Sequence, residues 1–315
     1  MIESVVSAEL PIDEVLQIKK NRFGKAGKRI CVVTGIHGDE LEGQYVAYEL
    51  SRRIKNDPDS LKGIVDIYPA MNPFGIDSIT RGIPAFDLDM NRIFPGNDHG
   101  DMNEYIAAEI VNDMQGADLC IDIHASNIFL TEIPQIRINE LHKEFLVPIA
   151  KNSNVDFIWV HGANTVLEAT FAYSLNSVGI PTLVVEMGVG MRITKEYGDQ
   201  LTTGILSLMK KLGIWEGEVG EVRTPVISYD EDGGDVLYLN APVSGVFIKD
   251  TFHGNLVKAG DHIGRIVNPL SGELLSEINA PADGWLFTIR EYPIVEEGSL
   301  MGRILKQEVY DKWKK

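Results

Sequence analysis

The segment Cys31–Gly43, CVVTGIHGDELEG, places a histidine and two acids directly after a short apolar run. Within it, His37 and Glu40 are three residues apart, and a helical pattern begins just after them. An imidazole and a carboxylate can contribute two ligands to a metal ion, although an isolated H-x-x-E motif is often coincidental. The alternative is a turn whose acids favour the positive N-terminus of the following helix.

Other segments also carry reactive side chains where an apolar run ends. His124 ends CIDIH, Glu186 ends TLVVE, and a loop after YPAMNP carries Arg81, Asn91 and Arg92. Ligands of an open parallel sheet collect beyond the carboxyl ends of its strands, so these side chains are expected to converge with the first pair. Each residue alone has a structural explanation, such as a core histidine, a paired buried acid or a solvated arginine. None of these explains why all of them lie at strand ends.

Two imidazoles and one carboxylate form a zinc ligand set that leaves a fourth position for water. Such an open site is typical of hydrolysis, because zinc lowers the pKa of its water from about 15.7 to about 7. A further carboxylate must then accept the proton and pass it to a leaving amine. Glu186 is the candidate, since its neighbours Val184, Val185, Met187 and Val189 offer an apolar setting that can raise its pKa.

Short β-rich runs alternate with helical patterns over the first two thirds of the chain. This alternation predicts an α/β domain with a mostly parallel, mixed sheet flanked by helices, and the continuous apolar runs indicate strands covered on both faces. The spacing predicts helices over residues 41–55, 103–115, 139–152, 165–179 and 194–213.

The pattern changes near Glu216. From about Val222 the apolar runs are short and are separated by glycines and prolines at close intervals, which is typical of tight β-hairpins. We therefore expect two domains, an α/β domain at residues 1–216 and a small all-β domain at residues 217–315.

The composition restricts the partners and the location of the protein. The chain of 315 residues has a net charge of −17, which disfavours nucleic acid and anionic membranes as partners. No apolar run approaches the roughly 20 residues that span a bilayer, and the N-terminal segment lacks the positive charge of a secretion signal. We therefore expect a cytoplasmic protein in which Cys31 and Cys120 are reduced core residues.

The chain resembles the succinylglutamate desuccinylase/aspartoacylase family, related to the zinc carboxypeptidases, in GIHGDELEG, NPFGIDSITRGIPAFDLDMNRIFPG, DIHAS and VVEMG. The resemblance implies a zinc-carboxypeptidase-like fold followed by a biotinyl/lipoyl-like β-domain. In carriers of that type a hairpin lysine holds the cofactor, whereas the hairpin NPLSGE has no lysine. We therefore expect the β-rich domain to shade the active site or to support a homo-oligomer, not to act as a carrier.

The same resemblance implies roles for individual residues. His37, Glu40 and His124 are implied to bind one zinc ion per chain, and Glu186 is implied to be the general base. Arg81 is implied to polarise the scissile carbonyl and to stabilise its oxyanion. A cation aimed at a developing oxyanion strengthens catalysis in a dry pocket, so the chemistry of these residue types agrees with those roles.

Substrate recognition is implied by a second group of residues. Asn91 and Arg92 match a pair that holds the α-carboxylate of an N-acyl amino acid, and a guanidinium suits bidentate carboxylate binding. Aspartoacylase grips the second carboxylate of its substrate with a further arginine shortly before the catalytic glutamate. Here no arginine lies between Arg137 and Arg192, and Glu168 lies in that window. We therefore expect a substrate with a neutral or cationic side chain, with Glu168 as its partner.

These features predict a zinc-dependent amidohydrolase that removes an acyl group from a small N-acyl amino acid or a related amide. A metallocarboxypeptidase acting on short peptides is the first alternative, because it would use the same zinc centre and carboxylate clamp. A non-catalytic metal-binding or ligand-binding protein is an alternative of another class, and the presence of Glu186 argues against it.

Overall fold

A mixed sheet of thirteen strands lies at the centre of the computed structural model, which describes residues 1–84, 86–162 and 167–313. Eight of these strands come from the first part of the chain: β1 (Ile2–Glu9), β2 (Val15–Phe23), β3 (Arg29–Thr34), β4 (Ile64–Tyr68), β5 (Leu119–His124), β6 (Leu130–Asn139), β7 (Phe157–His161) and β8 (Thr182–Gly188).

The middle of this sheet is parallel. β4, β3, β5 and β8 are neighbours in that order and run in the same direction. β6 is antiparallel to β8 and parallel to β7, so the sheet is mixed, as predicted. Because β3, β5 and β8 are parallel neighbours, their carboxyl ends meet at one edge, and His124 stands directly beside Glu186 in the β5–β8 register.

Helices cover both faces of the sheet: α1 (Glu42–Asn56), α2 (Pro73–Ser78), α3 (Met102–Met114), α4 (Lys143–Ala150), α5 (Phe171–Ser177) and α6 (Lys195–Leu212). Apolar residues of α1 and α6 pack with Ile30 and Val32 of β3, whereas residues of α3 and α5 pack with Cys31 and Val33. Successive residues of a strand face opposite sides, so both faces of β3 are buried. The continuous apolar runs of the sequence are explained by this double burial.

All five predicted helices are present, with shifted ends. α6 ends at Gly213, which adopts φ +75° as a left-handed C-cap. α4 is shorter than predicted, and α5 begins at Phe171, while Thr165 and Val166 of its predicted range lie outside the described residues. The sequence reasoning missed β6 altogether, and with it a strand that supplies several polar side chains to the site.

The chain after Glu216 is almost entirely β-structure: β9 (Val226–Asp230), β10 (Val236–Asn240), β11 (Gly245–Lys249), β12 (Asn255–Val257), β13 (His262–Asn268), β14 (Glu273–Asn279), β15 (Gly284–Arg290), β16 (Ile294–Val295), β17 (Leu300–Lys306) and the short helix α7 (Gln307–Tyr310). A separate four-stranded sheet contains β14, β13, β11 and β16. The other strands join the large sheet, with β9 parallel to β7 and β15 antiparallel to β6.

The hydrogen bonds of the large sheet therefore run across residue 216. The division of the chain into two domains at this residue stays a prediction.

Cys31 and Cys120 are buried neighbours in the β3–β5 register and carry free thiols. Burial raises the pKa of the Cys31 thiol to about 12. Among the helices in the described part of the chain, none is long and apolar enough to cross a membrane.

Candidate metal centre and active site

Three side chains that are remote in sequence meet at the carboxyl ends of β3 and β5. His37 Nδ1 lies 3.0 Å from Glu40 Oε1, and His124 Nδ1 lies 2.9 Å from Glu40 Oε2. The two Nδ1 atoms are 3.2 Å apart. All three residues are at most 4% exposed, so their donor atoms converge in a space that is nearly closed to solvent.

This arrangement fits a metal ion. Zinc bonds of about 2.0–2.2 Å in a tetrahedron place neighbouring ligand atoms about 3.3 Å apart, close to the three separations observed here. Two facing imidazole nitrogens cannot both carry a proton at this distance, whereas a shared cation satisfies both lone pairs. His37, Glu40 and His124 can therefore hold one metal ion and leave a fourth position open.

The outer nitrogens of both histidines face carboxylates. His37 Nε2 lies 3.1 Å from Asp89 Oδ1, and His124 Nε2 lies 3.1 Å from Asp122 Oδ2. Burial acts to lower the pKa of each histidine, but the surrounding carboxylates outweigh it and the pKa of both lies above its ordinary value. Such carboxylates fix the tautomer and orientation of a ligand histidine.

Sequence reasoning missed both outer carboxylates. Asp122 is two residues before His124, and this spacing on a strand places both side chains on one face. That spacing was the available signal. Asp89 had a weaker signal, because its position in the DLDMNR loop does not by itself indicate an approach to His37.

Replacing Asp122 with Asn is expected to weaken metal binding about 10- to 100-fold, because the second carboxylate no longer orients His124. Competition with a chromogenic chelator measures the affinity. The exposed Asp98 provides a matched control, since D98N removes one carboxylate that does not line the cavity. Equal affinities for wild type and D122N would contradict the role of Asp122.

The turn between β3 and α1 positions the first two ligands. Gly38 lies between His37 and Glu40, and a Cβ atom added there would come 2.0 Å from the carbonyl carbon of Gly75. The Gly38 N–H also donates to the carbonyl oxygen of Arg81 at 3.2 Å. A glycine is required at this close approach, which joins the ligand turn to the loop of Arg81.

Glu40 is held by more than the histidines. Its Oε1 accepts a hydrogen bond from Arg81 Nη1 at 3.0 Å, and its Oε2 accepts one from the backbone N–H of Ala125 at 3.1 Å. Burial acts to raise the pKa of Glu40, but His37 and His124 outweigh it and the pKa lies below its ordinary value. Glu40 is therefore held as a carboxylate between two imidazoles and a guanidinium.

The structure also brings Arg81, Asn91 and Arg92 to the centre. Arg81 Nη2 lies 3.3 Å from Asp89 Oδ2, so the outer carboxylate of His37 also orients this guanidinium. Asn91 is buried, and its Oδ1 accepts a hydrogen bond from Phe171 N at 2.9 Å, which directs the amide group. Arg92 is exposed, and together these residues line one cavity with the metal ligands.

Glu186 lies beside the metal ligands on the neighbouring strand. Its Oε1 accepts a hydrogen bond from Arg137 Nη1 at 3.3 Å. Its Oε2 is buried and has no hydrogen-bond partner among the described residues. Burial raises the pKa of Glu186, although Arg137 and His124 oppose that shift. A carboxylate with a raised pKa and one free oxygen is suited to accept a proton.

Arg137 is a further site residue that the sequence reasoning did not propose. It lies on β6, and its guanidinium is shared between Glu186 and Glu132. The available signal was a pair of charged residues in the apolar run LTEIPQIRIN, because an unpaired charge in a buried strand is costly. Arg137 therefore places a cation near the carboxylate that is predicted to act as the base.

The cavity has a volume of about 260 Å³ and extends from the metal ligands across the sheet toward β6 and α4. Asn139 and His142 also line it, and Asn139 Nδ2 and His142 Nε2 are buried without hydrogen-bond partners among the described residues. Glu168 is exposed and does not line this cavity, so the structure does not bring it together with the other predicted residues. Its role in substrate binding stays a prediction.

Comparison with known proteins identifies relatives of the chain. The family model of the succinylglutamate desuccinylase/aspartoacylase catalytic domain matches residues 26–212. An N-alpha-acetyl-L-2,4-diaminobutyric acid deacetylase from Halomonas elongata is 27% identical over 281 residues, which cover 85% of this chain and 78% of that protein.

Solved structures share the fold over almost the whole chain. The product-bound ectoine utilization protein EutE from Ruegeria pomeroyi superposes with a TM-score of 0.82 at 19% identity, covering 96% of this chain and 93% of that one. A succinylglutamate desuccinylase/aspartoacylase from Rhodobacter sphaeroides superposes with a TM-score of 0.80 at 23% identity, covering 97% and 95%. Since the family model matches more than half of the sequence, the chain belongs to the succinylglutamate desuccinylase/aspartoacylase family.

Proposed function

We propose that this protein is a zinc-dependent deacylase that hydrolyses the amide bond of a small N-acyl amino acid. The observation that carries the proposal is the convergence of His37 Nδ1, His124 Nδ1 and the carboxylate of Glu40, at separations of 2.9–3.2 Å, in the cavity that Glu186 also lines. Family membership supports amide hydrolysis, and two imidazoles with one carboxylate favour zinc. One ion per chain is expected, bound by His37, Glu40 and His124.

When bound, zinc supplies a Lewis acid and an acidified water molecule. Glu186 Oε2 accepts the proton of the attacking water and later delivers it to the departing nitrogen. The Arg81 guanidinium donates hydrogen bonds to the carbonyl oxygen as negative charge develops on it. The products are a carboxylic acid and a free amine, so one proton held by one carboxylate serves both halves of the reaction.

Asn91 and Arg92 bind the α-carboxylate of the substrate. The Oδ1 atom of Asn91 is occupied by Phe171 N, so its NH₂ group is the end that can donate to a ligand. Arg92 is exposed and adds a positive charge at the cavity wall. An amide donor beside a guanidinium is a suitable pair for a carboxylate.

The substrate side chain is expected to be neutral or cationic. Among the described arginines of the cavity, Arg137 is paired with Glu132 and Glu186, and Arg81 with Glu40 and Asp89. This pairing leaves Arg92 for the α-carboxylate. A second carboxylate would be desolvated without a cation of its own. The deacetylase from Halomonas elongata is named for a substrate whose side chain carries an amine, in agreement with this expectation.

A substrate panel tests this proposal directly. Amine release is measured from N-acetyl derivatives of 2,4-diaminobutyrate, alanine, glutamine and aspartate, from N-succinylglutamate and from dipeptides. We expect kcat/KM for the basic or neutral derivatives to exceed that for N-acetylaspartate by at least about tenfold, because a mismatched polar group costs more than 1.4 kcal/mol. In the same panel, E168Q is expected to lower kcat/KM only for the basic substrates.

The panel also separates the alternatives. Faster turnover of N-acetylaspartate or N-succinylglutamate would overturn the side-chain assignment but leave the deacylase proposal intact. Faster cleavage of dipeptides than of every N-acyl amino acid would instead favour a metallocarboxypeptidase. Metal binding without any amide hydrolysis would favour a non-catalytic binding protein.

A further inference from the structure

Glu132 is the centre of a buried charge network behind the cavity. The side chain of Glu132 is fully buried, and each of its carboxylate oxygens has a charged or polar partner. Oε2 accepts a hydrogen bond from Arg137 Nη2 at 2.7 Å. Oε1 accepts hydrogen bonds from Arg303 Nη1 at 2.5 Å and from Thr288 Oγ1 at 2.9 Å. The guanidinium groups hold the pKa of Glu132 below its ordinary value despite burial.

Two of these partners come from the β-rich part of the chain. Thr288 lies on β15 and Arg303 on β17, and they stand opposite each other in the antiparallel register. Thr288 is also opposite Glu132 in the pairing of β15 with β6. Glu132, Thr288 and Arg303 therefore lie side by side on three neighbouring strands. Backbone pairing between these strands defines the positions of the three side chains.

The network continues to the predicted base. Arg137 contacts Glu132 at 2.7 Å and Glu186 at 3.3 Å, so the shorter contact is on the side away from the metal ligands. The guanidinium carbons of Arg137 and Arg303 lie 5.9 and 5.8 Å from the ring of Trp159, which further restricts their positions. The charges alternate along Arg303, Glu132, Arg137 and Glu186, and they sum to zero.

We propose that Thr288 and Arg303, acting through Glu132 and Arg137, are positioning residues that set the orientation of Glu186. This inference gives the β-rich part of the chain an indirect role in catalysis, and it rests on the proposed function of Glu186 as the base. The role differs from shading the cavity, because it acts through contacts behind the site.

The physical basis is competition for one guanidinium. Glu132 draws Arg137 toward β15 and β17, so that Arg137 meets only Oε1 of Glu186 and leaves Oε2 free for the proton. Without the charge of Glu132, Arg137 would keep Glu186 as its carboxylate partner and would pair more closely with it. A carboxylate bound in that way is displaced and no longer has Oε2 free, so turnover falls while binding of the substrate is little changed.

The experiment compares E132Q, T288V, R303M and R303K with wild type, all metal-loaded. In E132Q, Arg137 is expected to shift toward Glu186, whereas in R303M Glu132 keeps only Arg137 of its two guanidinium partners and is expected to draw it away from Glu186. We expect kcat to fall about 10- to 100-fold in both variants, because small misplacements of reacting groups have effects of this size. We expect about a threefold fall in T288V, which loses one hydrogen bond. R303K keeps the charge and is expected to recover part of the activity lost in R303M. KM and metal content should stay within about twofold in each folded variant.

Arg290 provides the matched control. It lies on β15, is 8% exposed, and donates hydrogen bonds to backbone carbonyl oxygens of Tyr292, Ile294 and Leu300 rather than to the network. R290K is expected to lower the melting temperature and leave kcat unchanged. If T288V and R303K fold but have the kcat of R290K, or if KM alone rises, the inference is wrong.

The variant E186Q separates this inference from the proposed function. Inactive E186Q together with wild-type kcat in E132Q and T288V would overturn the positioning role alone. Wild-type kcat in E186Q would overturn the assignment of the base itself. Where R303M is insoluble, T288V and R303K still decide the question, because both keep the charge balance of the buried network.

Discussion

Replacing Glu186 with Gln is expected to lower kcat by about 10²- to 10⁴-fold, because the variant loses the group proposed to accept and return the proton. Gln has nearly the same shape as Glu and can still accept a hydrogen bond from Arg137, so the fold and the metal site are retained. Metal content, measured by atomic emission, should therefore equal that of wild type. The three metal ligands belong to other strands and turns and do not include this residue.

The pH dependence provides a second readout of the same variant. The base must be deprotonated, and burial raises the pKa of Glu186 above its ordinary value. Wild-type kcat/KM is therefore expected to fall as the pH decreases through that raised pKa, and the residual activity of E186Q should lack this dependence. Near-normal turnover in metal-loaded E186Q would show that another group takes the proton.

Replacing His37 with Ala is expected to lower kcat by at least about 10³-fold, because the variant loses a proposed metal ligand. Without the metal, the transition state loses Lewis-acid stabilisation of several kcal/mol. His37 is buried and contributes the Nδ1 atom that lies within 3.2 Å of both other ligand atoms. Its removal leaves one carboxylate and one imidazole, too few for a tight zinc site.

Metal content and activity are measured together in this variant. H99A is the matched control, because His99 is exposed in the loop after β4 and α2 and is distant in sequence from every ligand. Wild-type protein treated with a chelator should lose activity and regain it when Zn²⁺ is added. Full metal content and activity in H37A would show that the His37, Glu40 and His124 group is not the metal centre.

The local sequence was sufficient for the main elements of the α/β part. β3, β5 and β8 appear as short, continuous apolar runs because both of their faces are covered, and each run ends in a glycine or polar residue that marks the edge of the sheet. β6 was not predicted, because its apolar residues are interrupted by Glu132, Pro134, Gln135 and Arg137. Of these residues, Arg137 lines the cavity and Glu132 accepts a hydrogen bond from Arg137.

The sequence by itself determined which residue types stand at the strand ends and therefore which metal-binding chemistry is available. Only the tertiary structure decided that His124 lies beside Glu186, that Arg137 takes part in the site, and that Glu168 is exposed outside the cavity. The contact between Thr288 and Glu132 joins residues 156 positions apart. The periodicity of apolar residues indicates which face of a helix or strand is buried. Strand order and register are instead set by pairing between segments that are distant in sequence.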